Sequence, residues 1–233
     1  MSGCVAGTLI RVKEDKNIPL EWWKPIEQLQ VDDLVLCRPD TDEDIQDYKP
    51  VVKNFKYTKK EIWALRVYDL VDDITTEQPG LSTYFATPNH PVWKCGTASP
   101  SLEKQSFKKT KGHWLRVDQL QEGDVVRDVN NNLYSIAQTT PLFQLQDSNL
   151  AWLPSNDEYR IGESYGHVID LNELITSKVG LVRTGKGCNN YYIDESGNHI
   201  PYVADVYNVE IADFHTYFIG MDGIWVHNTN FLD

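Results

Sequence analysis

The sequence predicts an all-β fold in which two related lobes carry inserted segments. Short runs rich in β-branched and aromatic residues are separated by Gly, Pro, Asn and Asp along most of the chain, which is typical of strands and turns. Helical periodicity is weak: a turn at "PIEQLQ" and the run "HVIDLNELITSK", residues 167–178, are the best helical candidates. One segment also recurs without gaps, which indicates a duplicated structural unit.

The predicted strands follow one another from end to end of the chain. In order they are "VAGTLIRV", "DDLVLCR", "EIWALRVYDLV", "STYFATP", "DVVRDV", "LYSIAQTT", "NNYYIDE", "IPYVADVYNVEI", "TYFIG" and "GIWVHN". The polar runs "NNN" at 130–132 and "ESGN" at 195–198 predict hairpin turns, because Asn and Gly tolerate positive φ.

The recurring segment is "WKPIEQLQVDDLV" at 23–35, which aligns with "WLRVDQLQEGDVV" at 114–126. The identical pairs are Trp23/Trp114, Gln28/Gln119, Leu29/Leu120, Gln30/Gln121, Asp33/Asp124 and Val35/Val126. One repeat at this separation does not make a solenoid and points instead to two related lobes. The alternative is that two unrelated strand entries share a Trp-turn-Leu pattern, and the gap-free match favours the first interpretation.

Composition narrows the classes of function. A chain of 233 residues with 41% hydrophobic content can bury a substantial core. No apolar run is long enough to span a membrane and the N-terminal run has no signal-peptide pattern, so we expect a monomeric cytosolic protein or a domain of a secreted parent. A net charge of −12 argues against nucleic-acid binding, and the local basic run "KQSFKKTKGHWLR" is predicted to be a solvated loop.

The cysteines predict neither a disulfide framework nor a metal site. Cys4, Cys37, Cys95 and Cys188 are widely spaced and form no CxxC pair, so they are predicted to be free thiols. A mixed cluster of Cys95, His113, Cys188 and His199 is conceivable, but the spacing gives it no support. No metal and no cofactor is predicted.

Two stretches look inserted into the β domain. The first lies near residues 95–112 and is loop-like in composition, and the second lies near 143–200 with weak strands of its own. Neither carries a recognisable catalytic motif.

Three separated stretches carry the candidate chemistry. Cys4 follows Met1-Ser2-Gly3, "TPNHP" contains Thr87 and His90, and the chain closes with "VYNVEIADFHTYFIG" and "GIWVHN". Each stretch alone has an ordinary explanation, since a Cys is commonly a buried small hydrophobe and a His-Asn pair is commonly a turn.

Taken in order, the three stretches resemble the Hint (hedgehog/intein) superfamily of inteins, bacterial intein-like domains and pretoxin Hint domains. The resemblance covers residues 4–228 apart from the insertions, and it makes 1–3 and 229–233 remnants of flanking polypeptides. It implies a horseshoe-like fold with pseudo-twofold lobes and a single-turnover, self-cleaving activity with no external substrate. The partners would be the chain's own flanks, either exteins or a C-terminal toxin-like domain.

The resemblance implies a role for each N-terminal candidate. Cys4 would attack the carbonyl of Gly3 and form a thioester, because a thiol is the better nucleophile near neutral pH. His90 would protonate the departing nitrogen, and Thr87 would hydrogen-bond the same amide.

At the other end, Asn228 would cyclise to a succinimide and release Thr229. An amide is a poor nucleophile, so this step needs a held geometry and proton transfer, for which His227 and His215 are the candidates. For His215, a strand residue facing solvent is the alternative interpretation.

Two positions leave the outcome open. Many inteins have Asp where this chain has Asn208, and an amide cannot act as an acid or a base, so we expect weak coupling between the two ends. Thr229 is competent for splicing, but it is a hindered alcohol, so cleavage is the leading prediction and splicing a slower one. The alternative from another class is a catalytically silent Hint-like β domain that serves as an interaction or spacer module.

Overall fold

The all-β prediction is confirmed by the computed structural model, which describes residues 1–15, 17, 21–41, 44–70, 80–99, 107–145, 149–154, 163–171, 180–185 and 199–228. Within these ranges the regular elements are strands and two 3-10 helices. The strands are β1 (Cys4–Val5), β2 (Leu9–Lys13), β3 (Glu21–Pro25), β4 (Leu34–Cys37), β5 (Asp47–Glu61), β6 (Trp63–Asp69), β7 (Leu81–Ala86), β8 (Pro91–Ala98), β9 (Phe107–Arg116), β10 (Asp124–Arg127), β11 (Leu133–Pro141), β12 (Phe143–Gln144), β13 (Ala151–Pro154), β14 (Glu163–Ile169), β15 (Gly180–Gly185), β16 (Val203–Ile211), β17 (Thr216–Ile219) and β18 (Ile224–His227). No described helix is long and apolar enough to cross a bilayer.

Most strands belong to one antiparallel sheet whose path returns on itself. The order is β10-β11-β6-β7-β1-β16-β5-β4-β2-β17-β18-β8-β9, with β3 on β2 and a further pairing of β10 with β8. Because β10 pairs with strands near both ends of this path, the sheet curls around a shared core. Its largest cluster of buried side chains includes Cys4, Tyr217 and Val226.

The topology brings the two ends of the chain into the middle of this sheet. The short strand β1 lies between β7 and β16, with Cys4 opposite Ala86 on one side and Tyr207 on the other. The last described strand, β18, pairs with β17 and β8. Residues that are far apart in sequence therefore meet across a few strands.

The predicted duplication is confirmed in three dimensions. Each copy runs from a strand into a 3-10 helix, Ile26–Gln28 or Val117–Gln119, and then through a turn into the next strand. Both turns contain a residue with positive φ at the equivalent position, Asp32 at 74° and Gly123 at 84°.

The hydrogen bonds of the two copies also correspond. The Asp33 carboxylate accepts the N–H of Gln30 at 2.8 Å, and the Asp124 carboxylate accepts the N–H of Gln121 at 3.0 Å. This aspartate accepts a backbone N–H of the turn that follows the short helix, which explains why the sequence of the turn repeats.

The stretch predicted to be the second insertion contains a separate small sheet. Strands β12, β13, β14 and β15 follow one another in that order, each antiparallel to the next. The helical prediction for 167–178 is wrong at its start, because His167, Val168 and Ile169 pair with β13 as part of β14. Cross-strand pairing overrides the weak helical periodicity there, and residues 172–178 lie outside the described residues.

The stretch predicted to be the first insertion is less loop-like than expected. From Phe107 the basic run is strand β9, paired with β8 through Thr97 and Lys108, so the solvated-loop prediction is wrong for this part. The lysines are exposed, while Trp114 packs on Trp93 with ring centroids 4.9 Å apart. Pairing satisfies the backbone, and the long polar side chains remain in water.

The longest strand, β5, was not among the predicted strands. Lysines interrupt its apolar alternation, and most of its side chains are exposed or half-buried.

Of the predicted hairpin turns, "NNN" is confirmed by Asn131 at φ 66° beside β10 and β11. The predicted strand "NNYYIDE", the turn "ESGN" and Cys188 lie outside the described residues.

Candidate active site

Cys4 and His90 form the centre of the N-terminal half of the site. The Cys4 sulfur Sγ lies 3.7 Å from Nε2 of His90, and both side chains are fully buried. Burial raises the pKa of the Cys4 thiol to about 12, and a hydrogen-bond contact with the Tyr217 hydroxyl opposes this rise. The thiol is therefore protonated near neutral pH and needs a base before it can act as a nucleophile.

His90 presents a neutral imidazole to this thiol. Burial lowers the pKa of its imidazole to about 4, so the ring is neutral near pH 7. Its backbone carbonyl accepts the N–H of Val117 at 3.0 Å, which ties the turn after β7 to the second repeat. The ring atom Nδ1 has no hydrogen-bond partner within the described part of the chain. Nε2, which faces the sulfur, is thus the nitrogen placed to exchange a proton with Cys4.

Thr87 holds Gly3 through two hydrogen bonds. Its hydroxyl Oγ1 accepts the N–H of Gly3 at 3.1 Å, and its own N–H donates to the Gly3 carbonyl at 2.9 Å. The predicted hydrogen bond of Thr87 to the Gly3–Cys4 amide is present, and it is made by the Thr87 backbone N–H rather than by the side chain. Because Ala86 pairs with Cys4, Thr87 lies opposite Gly3, so its side chain binds the preceding amide while its backbone donates to the carbonyl that Cys4 would attack.

Asn228 is the centre of the C-terminal half. Its N–H donates to the carbonyl of His215 at 2.9 Å, and its own carbonyl accepts Nδ2 of Asn208 at 2.8 Å. Its side chain is buried, and neither amide atom of that side chain has a hydrogen bond to another described residue. The backbone of Asn228 is therefore held from both sides while its side-chain amide is not engaged.

His227 packs against an aromatic wall. Its ring meets Trp114 edge-on with centroids 5.0 Å apart, and Nε2 lies 3.9 Å from a carboxylate oxygen of Asp40. Burial, with smaller contributions from the neighbouring imidazoles of His215 and His90, lowers the pKa of His227 to about 3. This imidazole is therefore also neutral near pH 7.

His215 lies in the turn before β17 rather than on a strand. Its φ is 57°, in the left-handed region that non-glycine residues rarely adopt. Its side chain is half-buried, and Nδ1 is enclosed without a hydrogen bond to any other described residue. The alternative of a solvent-facing strand residue is wrong, because His215 lies in a turn with a half-buried side chain, and its carbonyl accepts the N–H of Asn228.

Comparison with solved structures shows which known proteins share this arrangement of strands. The chain matches a bacterial intein-like domain from Clostridium thermocellum with a TM-score of 0.53 and 16% identity, over 98% of this chain and 99% of that one. It matches a transcription factor IIB Mvu mini-intein with a TM-score of 0.50 and 12% identity, over 97% and 99%. The chain has the Hint fold. No protein-family model and no curated protein sequence matches it.

Within this Hint fold, Asn208 joins the two halves of the site. Its Nδ2 donates to the carbonyl of Ser2 at 3.1 Å as well as to that of Asn228, so one side chain touches both ends of the domain. The sequence predicts weak coupling between the two ends because Asn208, unlike an Asp, cannot transfer a proton. That prediction did not anticipate a hydrogen bond from Asn208 to each end. Asp213 does not replace the missing acid, because it is exposed and lies 3.4 Å from Nζ of Lys49.

Sequence reasoning also missed Tyr217. Its hydroxyl donates to Oδ1 of Asn208 at 3.0 Å, and its ring is fully buried beside His90. Only the recurrence of aromatic residues in "HTYF" hinted at it, and that pattern is equally typical of a core strand.

A cleft of about 250 Å³ opens beside the two chain ends of the Hint fold. It is lined by Met1, Ser2, Phe55, Tyr57, Asn208, Glu210 and Asn228. Thr229 lies outside the described residues. Among the residues that the structure describes, no group of three or more His, Cys, Asp or Glu side chains is arranged to hold a metal ion.

Proposed function

We propose that this chain is an autoprocessing domain that cleaves itself at both ends, by an N–S acyl shift at Cys4 and cyclisation of Asn228. The single observation that carries the proposal is the convergence of the two ends. The amide of Asn208 lies 3.1 Å from the Ser2 carbonyl and 2.8 Å from the Asn228 carbonyl, although these residues are at opposite ends of the chain. The Hint fold supports the same class of reaction.

The N-terminal step begins at the buried thiol. Nε2 of His90 takes the proton of Cys4, and the sulfur forms a bond to the carbonyl carbon of Gly3. The oxygen of that carbonyl gains negative charge, which the N–H of Thr87 stabilises from 2.9 Å. The bond to the Cys4 nitrogen then breaks, the nitrogen receives the proton from His90, and a thioester remains.

The C-terminal step uses the amide of Asn228. Its Nδ2 forms a bond to its own backbone carbonyl carbon, the peptide bond to Thr229 breaks, and a proton moves from Nδ2 to the departing amine. The result is a succinimide and a free downstream flank. Because the backbone N–H and carbonyl of Asn228 are both hydrogen-bonded, the carbonyl is held while the side chain approaches it. His227 and His215 are the groups we assign to proton transfer.

The fate of the flanks depends on Thr229. If its hydroxyl attacks the thioester before the downstream bond breaks, the two flanks become joined. A hindered secondary alcohol does this slowly, so cleavage is the main expected outcome and splicing a minor one. The partners of the domain are then its own flanking polypeptides.

The proposal is tested with the chain placed between two longer folded domains. Intact-mass time courses with and without an added thiol should show thiol-stimulated release of the upstream domain and thiol-independent release of the downstream one. Cys4→Ala should abolish upstream release, whereas Cys37→Ala, which removes another buried free thiol, should leave it unchanged. Asn228→Ala should abolish downstream release.

The outcome also decides between the proposed activity and a silent domain. Chains that stay intact through a long incubation, with the fold retained, would contradict autoprocessing and favour an interaction or spacer module. Release that continues in both Cys4→Ala and Asn228→Ala would indicate cleavage by something other than this site.

A further inference from the structure

The side chain of Asn208 points its nitrogen at the carbonyl that cyclisation would attack. We propose that this amide is a catalytic hydrogen-bond donor that stabilises the negative charge developing on the Asn228 carbonyl oxygen, with Tyr217 as the residue that positions it. The inference rests on the proposed function and adds a residue to the C-terminal step. It also gives a chemical reason for Asn at a position where a carboxylate would act differently.

The orientation of the amide is determined by two donors on its oxygen. Oδ1 of Asn208 accepts the backbone N–H of Val209 at 2.8 Å and the hydroxyl of Tyr217 at 3.0 Å. The Val209 N–H can only donate, so a nitrogen in that place would face its hydrogen, and this disfavours the opposite orientation. Nδ2 therefore faces the chain ends.

Both hydrogens of Nδ2 are then directed at backbone carbonyls. One goes to Asn228 at 2.8 Å and the other to Ser2 at 3.1 Å, with the Ser2 hydroxyl at 3.5 Å. Donors at about 2.7–3.1 Å from the reacting oxygen are those that stabilise an oxyanion. Asn208 is only 3% exposed, so water does not compete for these contacts.

The charge in the proposed step develops at the oxygen that Asn208 touches. As Nδ2 of Asn228 bonds to the carbonyl carbon, the carbonyl electron pair moves onto the oxygen, and it returns when the bond to the Thr229 nitrogen breaks. A proton passes from the attacking nitrogen to the departing one, so atoms and charge balance. The Asn208 N–H stabilises the intermediate more than the neutral carbonyl, which lowers the barrier.

An amide keeps this property at every working pH, whereas a carboxylate does not. An ionised Asp has only acceptor oxygens, so it would repel the developing charge, and it donates only when protonated. The replacement Asn208→Asp therefore tests the donor with nearly constant shape, and its effect should depend on pH.

The experiment uses the full chain between two flanking domains in a Cys4→Ala background, so that only downstream cleavage is measured by intact mass. Asn208→Ala should slow this cleavage roughly 10²–10³-fold, the usual cost of losing one oxyanion donor. Asn54→Ala is the matched control. Asn54 lies on β5, the strand next to β16, and its exposed side chain donates to the Leu29 carbonyl at 2.7 Å. Its rate should equal that of the parent.

Two further variants make the test independent of stability. Tyr217→Phe removes one of the two donors that orient the amide and should slow cleavage by about tenfold. For Asn208→Asp, the rate divided by the parent rate at the same pH should rise as the pH falls through the range where the carboxyl takes up a proton. Division by the parent rate removes the pH dependence that both proteins share.

Each result supports or overturns the inference. If the parent cleaves and both Asn208→Ala and Asn208→Asp cleave at the parent rate, Asn208 is not a donor to the reaction and the proposed function stands without it. If Asn208→Ala unfolds, the Asn208→Asp variant still tests the inference. A ratio of its cleavage rate to the parent rate that does not change with pH overturns the inference by itself. If the chain that retains Cys4 releases neither flanking domain, the proposed function fails and takes this inference with it.

Discussion

The sulfur of Cys4 lies 3.7 Å from Nε2 of His90 in a fully buried site, although the two residues belong to separate strands and turns. Burial acts on them in opposite senses. It raises the pKa of the thiol to about 12 and lowers that of the imidazole to about 4, so neither group carries charge near pH 7. In the proposed reaction, proton transfer between them is the step on which nucleophilic attack at Gly3 depends.

Removal of the imidazole of His90 should slow thioester formation. We expect His90→Ala to reduce thiol-stimulated upstream release by roughly 10²–10⁴-fold, the range for loss of a positioned acid-base group. The measurement is the rate of release by intact mass. His113→Ala is the control, because that side chain is exposed and its residue pairs with Lys94, four residues along β8 from the turn at His90. Equal rates for His90→Ala and the parent would remove His90 from the mechanism.

The residue before Cys4 should be restricted to glycine. A Cβ at Gly3 would lie 2.7 Å from the backbone carbonyl oxygen of Tyr207, and backbone cannot move aside cheaply. Gly3→Ala should therefore displace the attacked carbonyl and slow upstream release by at least about tenfold. Gly80→Ala is the control, since nothing lies within 4 Å of a Cβ there. Unchanged release in Gly3→Ala would show that β1 can shift without loss of the reacting geometry.

Downstream cleavage should continue after upstream chemistry is lost. Cys4→Ala removes the nucleophile but leaves the hydrogen bonds of Asn208 to Ser2 and Asn228 in place. Downstream release measured by intact mass should then fall by less than about tenfold, because the backbone geometry of Asn228 is retained. Complete loss of both cleavages in this variant, with the fold intact, would mean that the two ends are tightly coupled.

The position of His227 should depend on Trp114. The two rings meet edge-on with centroids 5.0 Å apart, so Trp114→Leu should loosen the imidazole and slow downstream release more than upstream release. Trp23→Leu is the control, since Trp23 holds the equivalent place in the other repeat and stacks under Arg11. Equal effects of the two variants on the ratio of downstream to upstream release would contradict this role.

Stability should fall in mild acid. The folded pKa values of His90 and His227, about 4 and about 3, lie below the usual value of about 6.5, so the unfolded chain binds these protons first. The free energy of unfolding is therefore at its full value above about pH 6.5 and decreases as the pH falls through the interval toward 4. At about pH 5 the loss from His90 alone should be on the order of 2 kcal/mol.

Urea denaturation at about pH 7.5 and about pH 5 measures this difference. His90→Gln cannot take up the proton, so the gap between the two pH values should be smaller in that variant by the contribution of His90. The same gap in both proteins would mean that His90 does not stay neutral in the folded state.

Much of the architecture could be predicted from local patterns. Runs such as "DVVRDV" and "GIWVHN" carry the alternation and the β-branched residues that strands need, and they are β10 and β18. The duplicated segment was visible because Asp33 and Asp124 bind their own turns, a local interaction that keeps the sequence recognisable. Strand β5 was missed because lysines, whose long stems cross an exposed sheet face, hide its alternation.

The sequence by itself determined which reactive groups the chain carries: a thiol at residue 4, imidazoles at 90, 215 and 227, and an amide at 228. Their types follow from chemistry alone. Only the tertiary structure decided which of them meet, because the register that places Thr87 opposite Gly3 and Asn208 between Ser2 and Asn228 arises from pairing between distant strands. Hydrogen bonds across such distances leave no periodic trace in the sequence, and for that reason Asn208 and Tyr217 became visible only in the folded chain.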